Sequence, residues 1–229
     1  MRYVIAFFMA WGNFLTLPCP YKRWDGKLKN LMMVFVPLVG VIIGVLWMAI
    51  IWALRVLDMK YGLPDSVAAL ICTFYIFAIC GFMHLDGFMD CNDAILSRRP
   101  LEDRQRILKD STVGAFAVVM LGFLFMAWYA SMIAIWDKAP LRMFFILPIL
   151  SRLIASNDVL DYKPIEHSQY VENYEAKSER KRCKRYLGIY FVLIALAVVM
   201  GPELKSVAPM FAAAFAGILL GGVSGAYGR

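Results

Sequence analysis

Residues 111–136 read STVGAFAVVMLGFLFMAWYASMIAIW, without one Asp, Glu, Lys or Arg. At about 1.5 Å per helical residue, such a run is long enough to cross a bilayer hydrocarbon core of roughly 30 Å. Four further stretches, 31–54, 66–83, 186–202 and 206–228, also lack all four charged residue types. None shows the alternation of polar and apolar side chains that a membrane strand requires, so a closed barrel is excluded and helices remain. Of the 229 residues 61% are hydrophobic, which excludes an ordinary water-soluble domain.

Working outward, the pattern predicts a short apolar helix at 3–17, then spans near 31–57, 64–83, 113–136, 141–157, 186–202 and 206–224. The expected fold is an all-α integral membrane protein: one domain over 1–229, a polytopic bundle of six to seven transmembrane helices with cytoplasmic catalytic loops. Arg2 and the apolar run after it resemble a signal peptide, but Leu17-Pro18-Cys19-Pro20 lacks the small residues of a cleavage site, so the segment is expected to be retained. It is short and carries Gly12 and Asn13, which suit a tilted, re-entrant or interfacial helix as well as a crossing. Pro148 and Arg152 interrupt the 141–157 segment. Such residues are tolerated where they face protein or water, so Arg152 is expected to line a cavity. The five cysteines are an odd number without metal-knuckle spacing and read as small buried side chains.

Orientation follows from the basic residues. Segments 18–30, 84–113 and 158–185 hold four, five and seven Lys or Arg, sixteen of the 24 in the chain. Two expected spans separate each from the next, so they share a side. The opposite connections hold only Arg55, Lys60, Lys138, Arg142 and Lys205. This bias makes the three long segments cytoplasmic, at the inner membrane of a bacterium or archaeon. The run Glu179-Arg180-Lys181-Arg182-Cys183-Lys184-Arg185 stands beside a span and is suited to anionic lipid headgroups. The net charge of +7 is thereby explained by membrane lipid, with no nucleic acid as partner. Oligomeric state, a homo-oligomer included, is left open.

The stretch with the most chemistry is Gly81-Phe82-Met83-His84-Leu85-Asp86-Gly87-Phe88-Met89-Asp90-Cys91-Asn92-Asp93. Its acids are spaced i, i+4, i+7, and at about 100° per residue Asp90 and Asp93 lie about 40° and −20° from Asp86 on a helix. Three carboxylates on one face repel one another by a few kcal/mol per close pair at an effective dielectric of about 20. A cation relieves this. Hard oxygen donors with room for water and phosphates suit Mg²⁺, with Asp86, Asp90 and Asp93 as candidate ligands. A solvated acidic helix face is the plainer alternative, but Met83, Leu85, Phe88 and Met89 make a poor generic surface. His84 is placed to orient a carboxylate, act as a base or contact phosphate. His167 has no comparable neighbours.

Downstream, Ser97 or Arg99 before Pro100 is expected to open a polar helix. The block carries Arg98, Arg99, Arg104, Arg106 and Lys109 as candidate phosphate-binding cations and Asp110 as a further candidate catalytic acid. Metal ligands plus fixed cations equip a protein for phosphoryl or nucleotidyl transfer, where positioning and charge stabilisation supply most of the catalysis.

These motifs resemble those of the cobalamin synthase family, the adenosylcobinamide-GDP ribazoletransferases. Gly81-Phe82-Met83-His84-Leu85-Asp86-Gly87 is similar to the family's G-[GF]-x-H-L-D-G, and Asp90 and Asp93 continue its D-x3-D-x2-D. Residues 98–106 and Lys109-Asp110-Ser111-x-x-Gly114 resemble the R-D-R and [RK]-D-S-x-x-G stretch that follows. Leu17-Pro18-Cys19-Pro20 resembles L-P-x-P, and residues 35–44 resemble F-P-L-x-G-x-x-x-G through Gly40 and Gly44. Ser151-Arg152 matches a later S-R, and residues 221–225 a terminal G-G-x-[ST]-G. Three positions depart: Ala226 stands where the family has Asp, Thr16 where it commonly has Arg, and relatives continue beyond Arg229. The C-terminus is therefore expected to be either divergent or truncated.

The resemblance implies an Mg²⁺-dependent membrane transferase that joins adenosylcobinamide-GDP to alpha-ribazole or its 5′-phosphate and releases GMP, the last assembly step of adenosylcobalamin. It implies His84, Asp86, Asp90, Asp93 and Asp110 as catalytic residues. Arg98, Arg99, Arg104, Arg106, Lys109 and Arg152 are implied as phosphate contacts. Two rivals are weaker. A CDP-alcohol phosphotransferase continues D-G to A-R and ends G-x3-D-x3-D, whereas Gly87 precedes Phe88-Met89-Asp90 and no acidic pair follows Gly114. A cation transporter places charges near the bilayer midplane, often in repeated halves; this cluster stands at a span's end without a second copy.

Overall fold

Helix follows wherever the chain is long and uncharged, because in lipid only a helix satisfies its own backbone amides. The computed structural model describes residues 1–164 and 170–199, and every regular element among them is helical. In order these are α1 (Arg2–Phe14), a 3-10 turn (Gly26–Leu28), α2 (Lys29–Tyr61), α3 (Asp65–Ala78), α4 (Met83–Leu96), α5 (Leu101–Ile107), α6 (Ala115–Ile135), α7 (Leu141–Asp161), α8 (Val171–Glu175) and α9 (Lys177–Val199). Among the described residues three helical stretches are long and apolar enough to cross a membrane: Gly26–Tyr61, α6 and α7. A fourth exists if α3 and α4, bent by 83° at their break, form one span. The expected span at 206–224 lies outside the described residues, as do His167 and the segment around Ala226.

Two boundaries differ from the sequence reading. The span expected over 64–83 stops at Ala78, at about 21 Å of helix. The basic run 179–185 does not precede a helix but forms the first turns of α9. Lys, Arg and Glu are good helix formers, and Glu179 pairs with Arg182 three residues on at 3.4 Å.

The chain falls into two compact units. The first comprises Met1–Ala49 and the described residues from Ala139 onward. Here Gly40 and Gly44 let α2 approach the α7 backbone. A methyl group at Gly40 would lie 2.8 Å from both Ile149 Cα and Pro148 O, and one at Gly44 would strike the Phe145 carbonyl. Small residues four apart open such close helix contacts in membranes. Trp47 and Phe144, both fully buried, pack edge to face beside this seam at 5.2 Å. Tyr3 and Phe7 of α1 set their rings against Phe35 of α2. Lys184 of α9 pairs with Asp161 at the end of α7 at 2.6 Å.

The second unit is Ile50–Lys138. In it α3 and α4 both pack on α6, and α5 packs on α4. At one end the Arg55 guanidinium donates to the Trp136 carbonyl at 3.0 and 2.6 Å. The Trp136 indole N–H, on a ring with no exposed surface, donates to Asp65 at 3.0 Å. Trp136, the C-cap of α6, thus joins α2 to the first acid of α3. Phe116, Val118, Val119, Phe123 and Met126 of α6 are exposed, an apolar surface that suits lipid and not water.

Candidate active site at the α4–α5–α6 corner

The site begins with the turn that ends α3. Gly81 and Phe82 both adopt left-handed backbone, at φ 64° and 59°. The Phe82 N–H reaches back to the Phe77 carbonyl at 3.1 Å, and Gly81 N–H to Ala78 at 3.0 Å. Glycine takes this conformation freely, whereas an L side chain costs about 1–2 kcal/mol there. Contact of the Phe82 ring with Phe74, centroids 6.0 Å apart, offsets part of that cost. The consequence is directional: the motif His84-Leu85-Asp86-Gly87 starts a new helix instead of continuing the span.

On α4 the sequence spacing translates into one polar face. His84 and Asp86 lie in its first two turns and are exposed, while Asp90 and Asp93 are half-buried. The carboxylates of Asp86 and Asp93 both repel a charge on Asp90. Leu85 and Ala94 are buried and, at about −100° and 80° from Asp86, flank the acidic face on its two sides. Gly87, between the first two acids, has nothing among the described residues within 4 Å of where a methyl group would stand. A glycine inside a helix costs about 1 kcal/mol relative to alanine, and no packing requires this one.

Asp93 is engaged differently. Its Oδ2 accepts from the Gly114 N–H at 2.6 Å and its Oδ1 from the Ala117 N–H at 2.9 Å. Residues 21 and 24 positions apart in sequence therefore meet, and the acidic motif is joined to Lys109-Asp110-Ser111-x-x-Gly114. Asp110 is exposed and its Oδ1 accepts from Thr112 N–H at 3.0 Å. Hydrogen bonds from the Thr112 backbone and side chain hold its carboxyl below the usual carboxylate range.

The cations gather nearby on the chain. Pro100 caps the start of α5 with no side-chain hydrogen bond; Ser97, expected at that cap, instead donates to the Ala94 carbonyl at 2.8 Å and accepts from Arg99 N–H at 3.4 Å. Arg98 turns the chain with a left-handed φ of 53°. Arg98, Arg99, Arg106 and Lys109 are exposed and Arg104 is half-buried. Arg106 pairs with Asp103 at 3.7 Å. The Arg104 Nε is buried without an acceptor among the described residues. α5 packs on α4, so the helix at the centre of the cationic block lies against the helix that carries the acids.

Two other motifs lie in the first unit. Arg152, half-buried on α7, donates to Ser151 Oγ at 3.2 Å. Leu17 and Cys19 of the L-P-x-P segment line an open cleft of about 390 Å³ with Phe8, Tyr21, Arg23 and Trp24. Sequence reasoning named Gly87 only as a motif position and did not foresee the pairing of Gly114 with Asp93. A helix-interior glycine between two acids was the available signal for the first; for the second there was none, because an amide partner leaves no trace in residue type.

Comparison with known proteins places these motifs in a wider context. The family model described as Cobalamin-5-phosphate synthase matches residues 6–227. An adenosylcobinamide-GDP ribazoletransferase of Clostridium perfringens is 36% identical over 189 residues, covering 82% of this chain and 73% of the relative. One from Clostridium botulinum is 33% identical over 197 residues, covering 84% and 76%. One from Lachnoclostridium phytofermentans is 24% identical over 215 residues, covering 93% and 80%. No solved structure matches the chain.

Proposed function

The chain belongs to the Cobalamin-5-phosphate synthase family, and from that premise we propose that it is an adenosylcobinamide-GDP ribazoletransferase. It transfers adenosylcobinamide phosphate from adenosylcobinamide-GDP to alpha-ribazole or its 5′-phosphate and releases GMP, completing adenosylcobalamin. The observation that carries the reading, beside the family match, is the corner where α4 presents Asp86 and Asp90 while α5 and its flanks present the cations. The chain works in the cytoplasmic membrane with this corner on the cytoplasmic side, as the distribution of Lys and Arg favours.

Asp86 and Asp90 would hold Mg²⁺. Among the described residues no group of three or more His, Cys, Asp or Glu converges as a cage. Mg²⁺ commonly needs only one or two carboxylates, its remaining positions being filled by water and substrate phosphates, so the donor set fits. Bound there, the ion would neutralise charge on the diphosphate. Arg98, Arg99, Arg106 and Lys109 hold the phosphate of the departing GMP, and the buried Arg104 Nε is a donor left for an anion oxygen. His84 takes the proton from the ribose hydroxyl whose oxygen attacks the corrinoid-linked phosphorus. A new phosphodiester P–O bond forms as the bond to GMP breaks, with the electron pair leaving on the GMP phosphate. Arg152 as a phosphate contact rests on its Ser151-Arg152 motif.

Purified protein in detergent with adenosylcobinamide-GDP, alpha-ribazole and Mg²⁺ should release GMP and form the joined corrinoid. A chelator should stop the reaction and added Mg²⁺ restore it. Absence of GMP under all these conditions, with release of CMP from a CDP-alcohol, would overturn the reading in favour of the phosphotransferase rival.

A further inference from the structure

The three acids of α4 are alike in spacing and unlike in what their oxygens touch. Asp93 has one oxygen on the Gly114 amide at 2.6 Å and the other on the Ala117 amide at 2.9 Å. Gly114 is the N-cap of α6 and Ala117 its third residue; the cap has no side-chain hydrogen bond of its own. The first amides of a helix have no partner within it and are ordinarily satisfied by an N-cap side chain. Here the cap residue is a glycine, and the carboxylate of another helix supplies the bonds. A negative charge at this terminus is further favoured by the dipole of the helix, 21 residues long, that it caps.

The fit is reciprocal. A methyl group at Gly114 would stand 2.5 Å from Asp93 Oδ1, 2.6 Å from Oδ2 and 2.7 Å from Cγ. Only glycine admits the carboxylate, and the carboxylate does what glycine cannot. Ala117 is 1% exposed, so its amide has no ready substitute in water if Asp93 is withdrawn to a cation.

We propose that Asp93 is a positioning residue: it locks the N-terminus of α6 onto α4, and so fixes the face from which Asp86 and Asp90 act. Those two, with substrate phosphate oxygens, are then the metal ligands, and the D-x3-D-x2-D spacing combines a metal site with a joint between helices. Gly114 of K-D-S-x-x-G is the other half of that joint. The catalytic consequence rests on the transferase reading; the joint itself does not.

The test uses Asp93→Ala, Asp93→Asn and Gly114→Ala in the full chain, with thermal unfolding of the metal-free protein and Mn²⁺ binding followed by electron paramagnetic resonance. Asp93→Ala and Gly114→Ala should both lower the metal-free midpoint by about 2 °C or more and leave Mn²⁺ affinity within about threefold of wild type, well short of a tenfold ligand loss. Asp93→Asn, which keeps one acceptor, should recover part of the midpoint and part of kcat, with the Mg²⁺ concentration for half-maximal activity unchanged. A tenfold or greater loss of Mn²⁺ affinity in Asp93→Asn, or a Gly114→Ala protein as stable as wild type, overturns the proposal. If Asp93→Ala does not fold, the asparagine variant decides the metal arm. Neither unfolding nor Mn²⁺ binding needs substrate, so failure of the transferase reading, seen as no GMP from wild type, is a separate result.

Discussion

At the scale of single residues, the acids of α4 divide by engagement. Among the described residues Asp86 and Asp90 have no hydrogen bonds like those of Asp93, so Asp86→Asn and Asp90→Asn should each reduce transfer by at least about 100-fold while membrane insertion and the unfolding midpoint stay near wild type. GMP release and thermal scans check this, and full activity in either variant removes the metal site. Gly87 makes a sharper case. An alanine there meets open space, so Gly87→Ala should stabilise the helix by up to about 1 kcal/mol yet raise KM for adenosylcobinamide-GDP, because the methyl group stands beside the two acids where the diphosphate must approach. Asp110 gives a pH prediction. Its folded pKa is lowered by the Thr112 hydrogen bonds, so its contribution is present above the unfolded value of about 3.9 and lost only as pH falls through the lower folded one. Asp110→Asn should therefore leave the shape of the rate–pH profile unchanged between about pH 5 and 9; a new inflection in that window would give Asp110 a proton-transfer role. His84, Asp86 and Asp90 could be named from the sequence because their residue types and spacing are themselves the signal. The engagement of Asp93 could not, since its partners are backbone amides that any residue carries.

Among the elements, the uncharged runs at α2 and α6 and the interrupted segment at α7 were read correctly as helices, the first two because length and composition alone decide the state. The end of α3 was misread, for a physical reason: hydropathy is blind to the left-handed turn at Gly81 and Phe82, which bends the chain by 83° without any polar residue. The seam between α2 and α7 was visible as a glycine motif but not as a contact. It carries its own prediction. Gly44→Leu would drive a side chain into the Phe145 backbone and should cost at least about 3 kcal/mol, or prevent a folded first unit, as read by unfolding in detergent. Gly122→Leu, on α6 where a methyl group meets nothing within 4 Å among the described residues, should not destabilise and should gain up to about 1 kcal/mol from helix propensity. Equal effects at the two positions would mean that the seam does not form.

For the whole molecule, topology can be read through its own thiols. Cys91 is exposed, whereas Cys72, Cys80 and Cys183 are buried. A variant keeping only Cys91 should react with a membrane-impermeant maleimide in inside-out vesicles and be protected in right-side-out vesicles or cells; the reverse pattern would put the α4–α5–α6 corner on the outer face. The division of the chain into two units was not legible beforehand, because the first is assembled from both ends of the sequence with the second between them. That arrangement has a consequence for biosynthesis. The bare groove at Gly40 and Gly44 reaches the translocon roughly 100 residues before the backbone that fills it, a delay of about 5–20 s at ordinary rates of synthesis. Throughout that interval the second unit is being made, so the nascent chain must carry an unfilled groove that lipid or an insertase has to shield until α7 emerges.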